Sequence, residues 1–509
     1  AFTPSTSSFY IKFESRDSNL KTVDSITVEA AGIMELPTPW ETANLGLMRF
    51  AQSADVVFVA CSGYQPQRIE RRAARSWSVV GYKSSSGPFY VTRSVDAKLK
   101  VSATSGNATL TSDKAFFRST HVGALFRLFS EGGINQTHTI SNEVAYTDPI
   151  RVSGLSGFVA GASEANTRER LIHYTITGTW SGTISVLKST RDKEYGYTKS
   201  HIRYEYPVST NIDAGVAITT NVDYYLNDKN DNEFVWYKLG FESGDYTSGT
   251  ASIVFEYAGW DVAGVCRVTG YTSATQVSVE ILQTMGNTSY TSTWQEGMWS
   301  DEDGWPAAVA FYDGRLWWSG LDRLWGTVSD EFNNFDEDYE GDAGPINRSI
   351  STGGVNDTQW LLGLQRLAIG TEGMIAVGKS SSLDDPITPT SLAIRDVSSL
   401  GVAPNAAVKI DSRGLFVERS GRAIMELIYD ASQNDYRATQ LSKLTTDLFS
   451  DGVKEVAIQR RPETRIWIIT ETGGCICCVY EPDQEVVAFI PIETDGTFES
   501  VAVLPAESQ

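Results

Sequence analysis

Apolar residues in this chain come in short runs, each closed by a polar or glycine-containing turn. Four of these runs share one form: Arg315-Leu316-Trp317-Trp318-Ser319-Gly320, Arg366-Leu367-Ala368-Ile369-Gly370, Gly414-Leu415-Phe416-Val417 ending in Ser420-Gly421, and Arg465-Ile466-Trp467-Ile468-Ile469 ending in Thr472-Gly473. Runs this short, rich in aliphatic and aromatic residues and bounded by turn formers, predict strands. Their spacing of about 50 residues is the period given by β-propeller blades, small antiparallel sheets that must stack on one another. A fifth run, Asp55-Val56-Val57-Phe58-Val59 with Ser62-Gly63, has the same shape but lies far upstream. The pattern therefore predicts a mainly β chain. A β-propeller-like domain, residues 1–85 and 294–509, is interrupted by a long insertion.

Within the insertion the pattern changes to alternation, as in Ala108-Thr109-Leu110-Thr111, Gly182-Thr183-Ile184-Ser185-Val186-Leu187 and Thr250-Ala251-Ser252-Ile253-Val254-Phe255. Alternation suits sheets with one wet face. It predicts two β-sandwich-like modules, 86–175 and 176–293, dividing near His173. Helical spacing is rare. Leu441, Leu444 and Leu448 predict a short helix over Gln440–Phe449, and a second is expected around Thr42–Ala51.

Charge narrows the functional classes. With 42 Lys+Arg against 63 Asp+Glu, the formal net charge is −21. That balance argues against general binding to nucleic acid or to an anionic membrane, since phosphates attract basic surfaces. No apolar run approaches the roughly 18 residues of a membrane-spanning helix, so no membrane span is expected. Five Cys are too few and too unevenly placed for a disulfide scaffold of this size, and they are read as reduced thiols.

Candidate chemistry is sparse. Gly373-Met374-Ile375-Ala376-Val377-Gly378-Lys379-Ser380 fits the phosphate-loop pattern, but its middle is a strand-like apolar run, so it is read as a chance match. The acidic segment containing Asp336, Asp338, Glu340 and Asp342 resembles a calcium loop until its twelfth position, which holds Asn347 in place of a bidentate Glu. A solvated acidic loop pinned by Phe332 and Phe335 is the expectation there, with a cation site of a kind other than an EF-hand as the alternative. Arg68, Arg71, Arg72 and Arg75 form a basic cluster, read as a solvated or intersubunit salt-bridged edge in preference to a nucleic-acid contact. Cys475, Cys477 and Cys478 read as thiols packed within a strand. No hydrolase motif stands out, and neither a catalytic residue nor a cofactor is assigned.

Several segments taken in order resemble the tail nozzle, or tail tubular protein B-like, family of short-tailed bacteriophages. They include Leu47-Met48-Arg49-Phe50-Ala51-Gln52-Ser53-Ala54-Asp55, Gln65-Pro66-Gln67-Arg68-Ile69, and His121-Val122-Gly123-Ala124-Leu125-Phe126-Arg127-Leu128. The most specific stretch runs from Trp299-Ser300-Asp301 and Gly304-Trp305-Pro306 through Phe311–Gly320 to Phe332-Asn333-Asn334-Phe335. The resemblance implies a non-enzymatic virion tail protein, assembled in the host cytoplasm as a homo-hexameric ring. Its expected partners are the portal and adaptor assembly, tail fibres or tailspikes, and genomic DNA that passes through without specific binding. An acidic channel wall would repel phosphates and let DNA slide. The competing expectation is a receptor- or glycan-binding propeller, possibly glycan-processing, prompted by 13 Trp and 22 Tyr.

Overall fold

The structure is a computed structural model that describes residues 35–504, except 75, 92–94, 132–133, 153–170, 191–192, 200–217, 228–234, 258–260, 340, 351–356, 381–384 and 433. The chain is mainly β and its sheets are antiparallel. Five of them are four-stranded meanders. The first holds β1–β4 (Arg49–Ser53, Val56–Cys61, Tyr64–Ala73, Ser76–Gly81).

An inserted six-stranded sheet is made of β5 (Leu99–Val101), β6 (Asn107–Ser112), β7 (Leu125–Glu131) and three strands from much later in the chain. Between them lies a seven-stranded sheet: β8 (Ile134–Ile140), β9 (Ala145–Tyr146), β10 (Ile150–Val152), β11 (Leu171–Ser189), β12 (Thr198–Lys199), β13 (Val222–Asn227) and β14 (Val235–Tyr257). The six-stranded sheet is then completed by β15 (Asp261–Ser273), β16 (Gln276–Gln283) and β17 (Trp294–Glu296).

The remaining meanders follow without interruption. They are β18–β21 (Ala308–Tyr312, Arg315–Gly320, Arg323–Gly326, Ile346–Ser349), β22–β25 (Thr358–Gly363, Leu367–Thr371, Ile375–Lys379, Ala393–Ser398), β26–β29 (Val408–Ile410, Arg413–Val417, Ile424–Asp430, Asp435–Gln440) and β30–β33 (Val453–Gln459, Arg465–Thr470, Cys475–Glu481, Val486–Ile492).

Each of the five matched runs is the second strand of its meander: β2, β19, β23, β27 and β31. The reason is burial on both faces. Along β19, Leu316 and Trp318 pack with Phe58 and Ala60 of the first sheet, whereas Trp317 packs with Leu367 and Ile369 of the third. Further cores join the third sheet to the fourth, through Trp360, Ala368, Phe416 and Leu427, and the fourth to the fifth, through Leu415, Val417, Ile466 and Ile468. Strands covered on both sides read as unbroken apolar runs. The first strands also lie side by side, β1 against β18, β18 against β22 and β26 against β30.

The inserted part departs from expectation. Its modules are one six-stranded and one seven-stranded sheet, each with its own core, and they are nested, not consecutive. The boundary expected between residues 175 and 176 falls inside β11, which runs on for 19 residues beside the 23-residue β14. Gly178 (φ +113°) and Gly249 (φ +87°) let these two backbones approach, because a Cβ on either would lie within 2.4 Å of a facing carbonyl oxygen.

The two expected helices are 3-10 turns. Thr42–Leu47 is one, and from Arg49 the chain pairs with β2 as a strand. Over Gln440–Phe449 there are two, Leu441–Leu444 and Thr446–Phe449, separated by Thr445 at φ −134°, ψ 41°. The predicted leucine face fails because Leu444 is 96% exposed, while Ser442 and Phe449 point inward.

Candidate functional site

A dense cluster of buried charge lies at the junction between the insertion and the meanders, and the acidic segment forms half of it. Beyond β20 the chain turns through Phe332-Asn333-Asn334-Phe335. Phe332 packs edge-on to Phe311 at 4.9 Å and Phe335 to Trp299 at 5.2 Å. The Tyr82 hydroxyl donates to the Phe332 carbonyl at 2.7 Å, and the Ser86 hydroxyl donates to Asn334 Oδ1 at 2.8 Å. Asn334 Oδ1 also accepts the Asp336 N–H at 2.9 Å, which directs the next turn inward.

Two arginines meet that turn, one from each inserted sheet. Arg127 on β7 donates to Asp338 Oδ1 at 2.8 Å and lies 3.6 Å from Glu337. Arg151 on β10 donates to Asp338 Oδ2 at 2.9 Å and to Asp336. Both guanidiniums are buried, with side chains 7% and 8% exposed. Arg127 also lies 5.0 Å from the centre of the Phe129 ring. Three carboxylates thus face two cations that lie 211 and 187 residues away in the chain.

Burial pushes Asp336 up, and the attraction of Arg151 does not fully offset it. For Asp338 burial also pulls upward, but Arg151 and then Arg127 outweigh it and hold this carboxyl below its ordinary range. Burial raises Glu337 against the pull of Arg127. The first proton taken up on acidification therefore goes to Asp336 or Glu337, and Asp338 keeps its charge and both arginines.

This geometry corrects the solvated acidic loop. The Phe pins are in place, but Asp336 is buried and its charge, like that of Asp338, is met by guanidinium, which leaves no open carboxylate cluster for a cation. Asp342 contributes its backbone: its carbonyl, with those of Thr327, Ala343 and Gly344, accepts hydrogen bonds from buried Arg315. Glu340 lies outside the described residues. Among the described residues no group of three or more His, Cys, Asp and Glu is placed to hold a metal.

The basic cluster is elsewhere, at the far end of the β3–β4 hairpin. Arg68 and Arg72 flank Glu70 at 3.3 and 3.2 Å, and Arg71 reaches Asp55 at 3.5 Å and lies over Trp77. Arg75 lies outside the described residues. The phosphate-loop match is the strand β24 with its flanking turns, and among the described residues no helix follows it before β25. Cys475, Cys477 and Cys478 are buried in β32, and all five Cys are free.

No protein-family model matches the chain, and a search of curated proteins finds no match either.

Three buried or half-buried polar residues, His173, Arg127 and Arg151, belong to no motif. His173 on β11 sits between Glu256 Oε2 at 2.7 Å and Asp223 Oδ1 at 2.5 Å. Burial alone would lower it, yet these hydrogen bonds outweigh burial and raise it above the ordinary histidine value. Arg127 and Arg151 were overlooked because each lies in an apolar strand. That context was itself the signal: a lone charge among buried aliphatics and aromatics demands a buried opposite charge. An open depression of about 560 Å³ near β28, lined by Leu400, Glu418, Ser420, Arg422, Ala423, Met425, Gln440, Thr446 and Ser450, has no aromatic ring in its wall on which a sugar would stack. No helix among the described residues is long and apolar enough to cross a membrane.

Proposed function

We propose that this chain is a structural, non-enzymatic component of a bacteriophage tail, of the nozzle or tail tubular kind. Six copies form a ring that conducts the genome and carries the adaptor and the fibres or tailspikes. The observation behind this reading is the row of five similar meanders fused by continuous apolar cores, with an insertion fastened to it by buried charge. In this reading the meanders are blades of a propeller-like platform, their first strands turned toward a common axis. The inserted sheets reach outward to the neighbouring tail proteins. Sheets fused through shared cores suit a conduit, and the residue-level resemblance to tail nozzle proteins points the same way. The net charge of −21 suits a wall past which DNA slides without binding.

Electron cryomicroscopy of virions tests the proposal. It expects a ring of this chain below the portal, with carboxylates concentrated on the channel wall. A monomer placed on the particle's periphery, or a ring with a basic bore, overturns it.

A further inference from the structure

We propose that β4 and β33 are two halves of one interface between copies of this chain. In it, β33 of one copy adds antiparallel to β4 of the next, so that the fifth sheet of one continues into the first sheet of the other. The partner is a second copy, and the proposal rests on the ring reading only for how the chain of contacts closes.

The argument begins with the outer strands of the five meanders. In the three middle sheets each carries charge: Arg348 in β21, Arg395 and Asp396 in β25, Asp435 and Arg437 in β29. Charges on an edge discourage pairing with other chains. The outer strands of the first and last sheets carry none, reading Ser-Trp-Ser-Val-Val-Gly and Val-Val-Ala-Phe-Ile-Pro-Ile. Among the described residues β4 pairs with β3 alone and β33 with β32 alone. Both present apolar side chains to solvent: Trp77 is 37% exposed, and Val486, Val487 and Ile490 are 40%, 41% and 47% exposed. The one blunting device on β33 is Pro491, next to its end, which leaves Val486–Ile490 open to a partner strand of similar length.

Charge at the strand ends selects the orientation and the partner. The chain enters β4 from the hairpin tip that bears exposed Arg71 and Arg72, and it leaves β33 toward exposed Glu493 and Asp495. Antiparallel pairing sets these opposite charges side by side, in the same sense as the ladders within every sheet. The two complementary strands lie on the first and last sheets of the row among the described residues, so the contact is head-to-tail, the kind that closes into a ring or runs on as a filament.

The test uses the full-length chain, with oligomeric state read by native mass measurement and light scattering, and folding checked by circular dichroism. R71E/R72E and E493R/D495R should each weaken association about tenfold or more through like-charge contact. The four-substitution combination should restore it. Val487→Lys, which places a charge within the stretch that would pair, should block association without disturbing the fold. Assembly that ignores the reversals and V487K, or reversals that do not rescue each other, overturns the edge pairing and leaves the ring reading standing. A wild-type chain that remains a single copy both in solution and in particles overturns both.

Discussion

The meanders and the junction hold the molecule together by opposite means. Between meanders the continuous contact is apolar, with Trp318, Trp325 and Phe58 in one layer and Ile466, Ile468 and Val417 in another, and polar links such as Ser319–Thr358, Arg366–Asp435 and Tyr480–Glu426 lie beside it. At the junction the insertion is gripped by Arg127 and Arg151 on a turn that carries three carboxylates. Apolar burial is strong and non-directional, so it fuses sheets and tolerates small shifts. A buried network of charge-assisted hydrogen bonds adds little net stability but accepts one geometry, so it sets the position of what it holds. The difference teaches where strength and where alignment reside.

The largest effect should come from the apolar layer. Trp318→Ala removes a fully buried indole and should cost about 3–5 kcal/mol in denaturant unfolding. An effect near zero would mean that the first and second sheets are not fused through this residue.

Arg151→Met should cost roughly 3 kcal/mol, because Asp336 is left buried without its cation. Adding Asp336→Leu should recover most of that loss, since removing both charges also removes the burial penalty. Hydrogen exchange sharpens the contrast. In R151M it should rise around β10 and the turn at 335–338, and stay unchanged in the third to fifth meanders.

Acidity should separate the regions next. Asp338 is held low, so its contribution is complete above about pH 4 and is lost as pH falls through its depressed value. His173 is raised, so its contribution is complete below about pH 6.5 and is lost as pH rises through its folded value. Asp223 is 68% exposed, which limits the His173 effect to below about 1 kcal/mol. Melting temperature against pH, with His173→Gln as control, reads both; an unchanged slope in that variant would remove the second assignment. The smallest effect is expected at the hairpin tip, where Arg72→Ala should change the chain's own stability by no more than about 0.5 kcal/mol.

Legibility in the sequence followed the same divide. The runs at 315, 366, 414 and 465 were readable because strands buried on both faces leave a contiguous local trace. The nesting was not readable, since β11 crosses the supposed boundary as one continuous strand, and alternation does not say which strand pairs with which. The junction was half visible. Phe332 and Phe335 announced a pinned loop, but nothing local links Asp338 to an arginine 211 residues earlier. The failed helix at Gln440–Phe449 shows the limit of periodicity over a window of two to three turns, where one residue such as Thr445 divides it.

The nested insertion also sets a timetable. The face of β2 that carries Phe58 finds its lasting cover in β18–β20, which leave the ribosome about 250 residues later, or roughly 10–50 s at ordinary synthesis rates. For that interval the first meander waits with an aromatic surface uncovered, while both inserted sheets must find their strands and clear the way. The order of synthesis thus leaves the first meander uncovered until both inserted sheets have been made, and the nascent chain most prone to sticking before β18–β20 arrive.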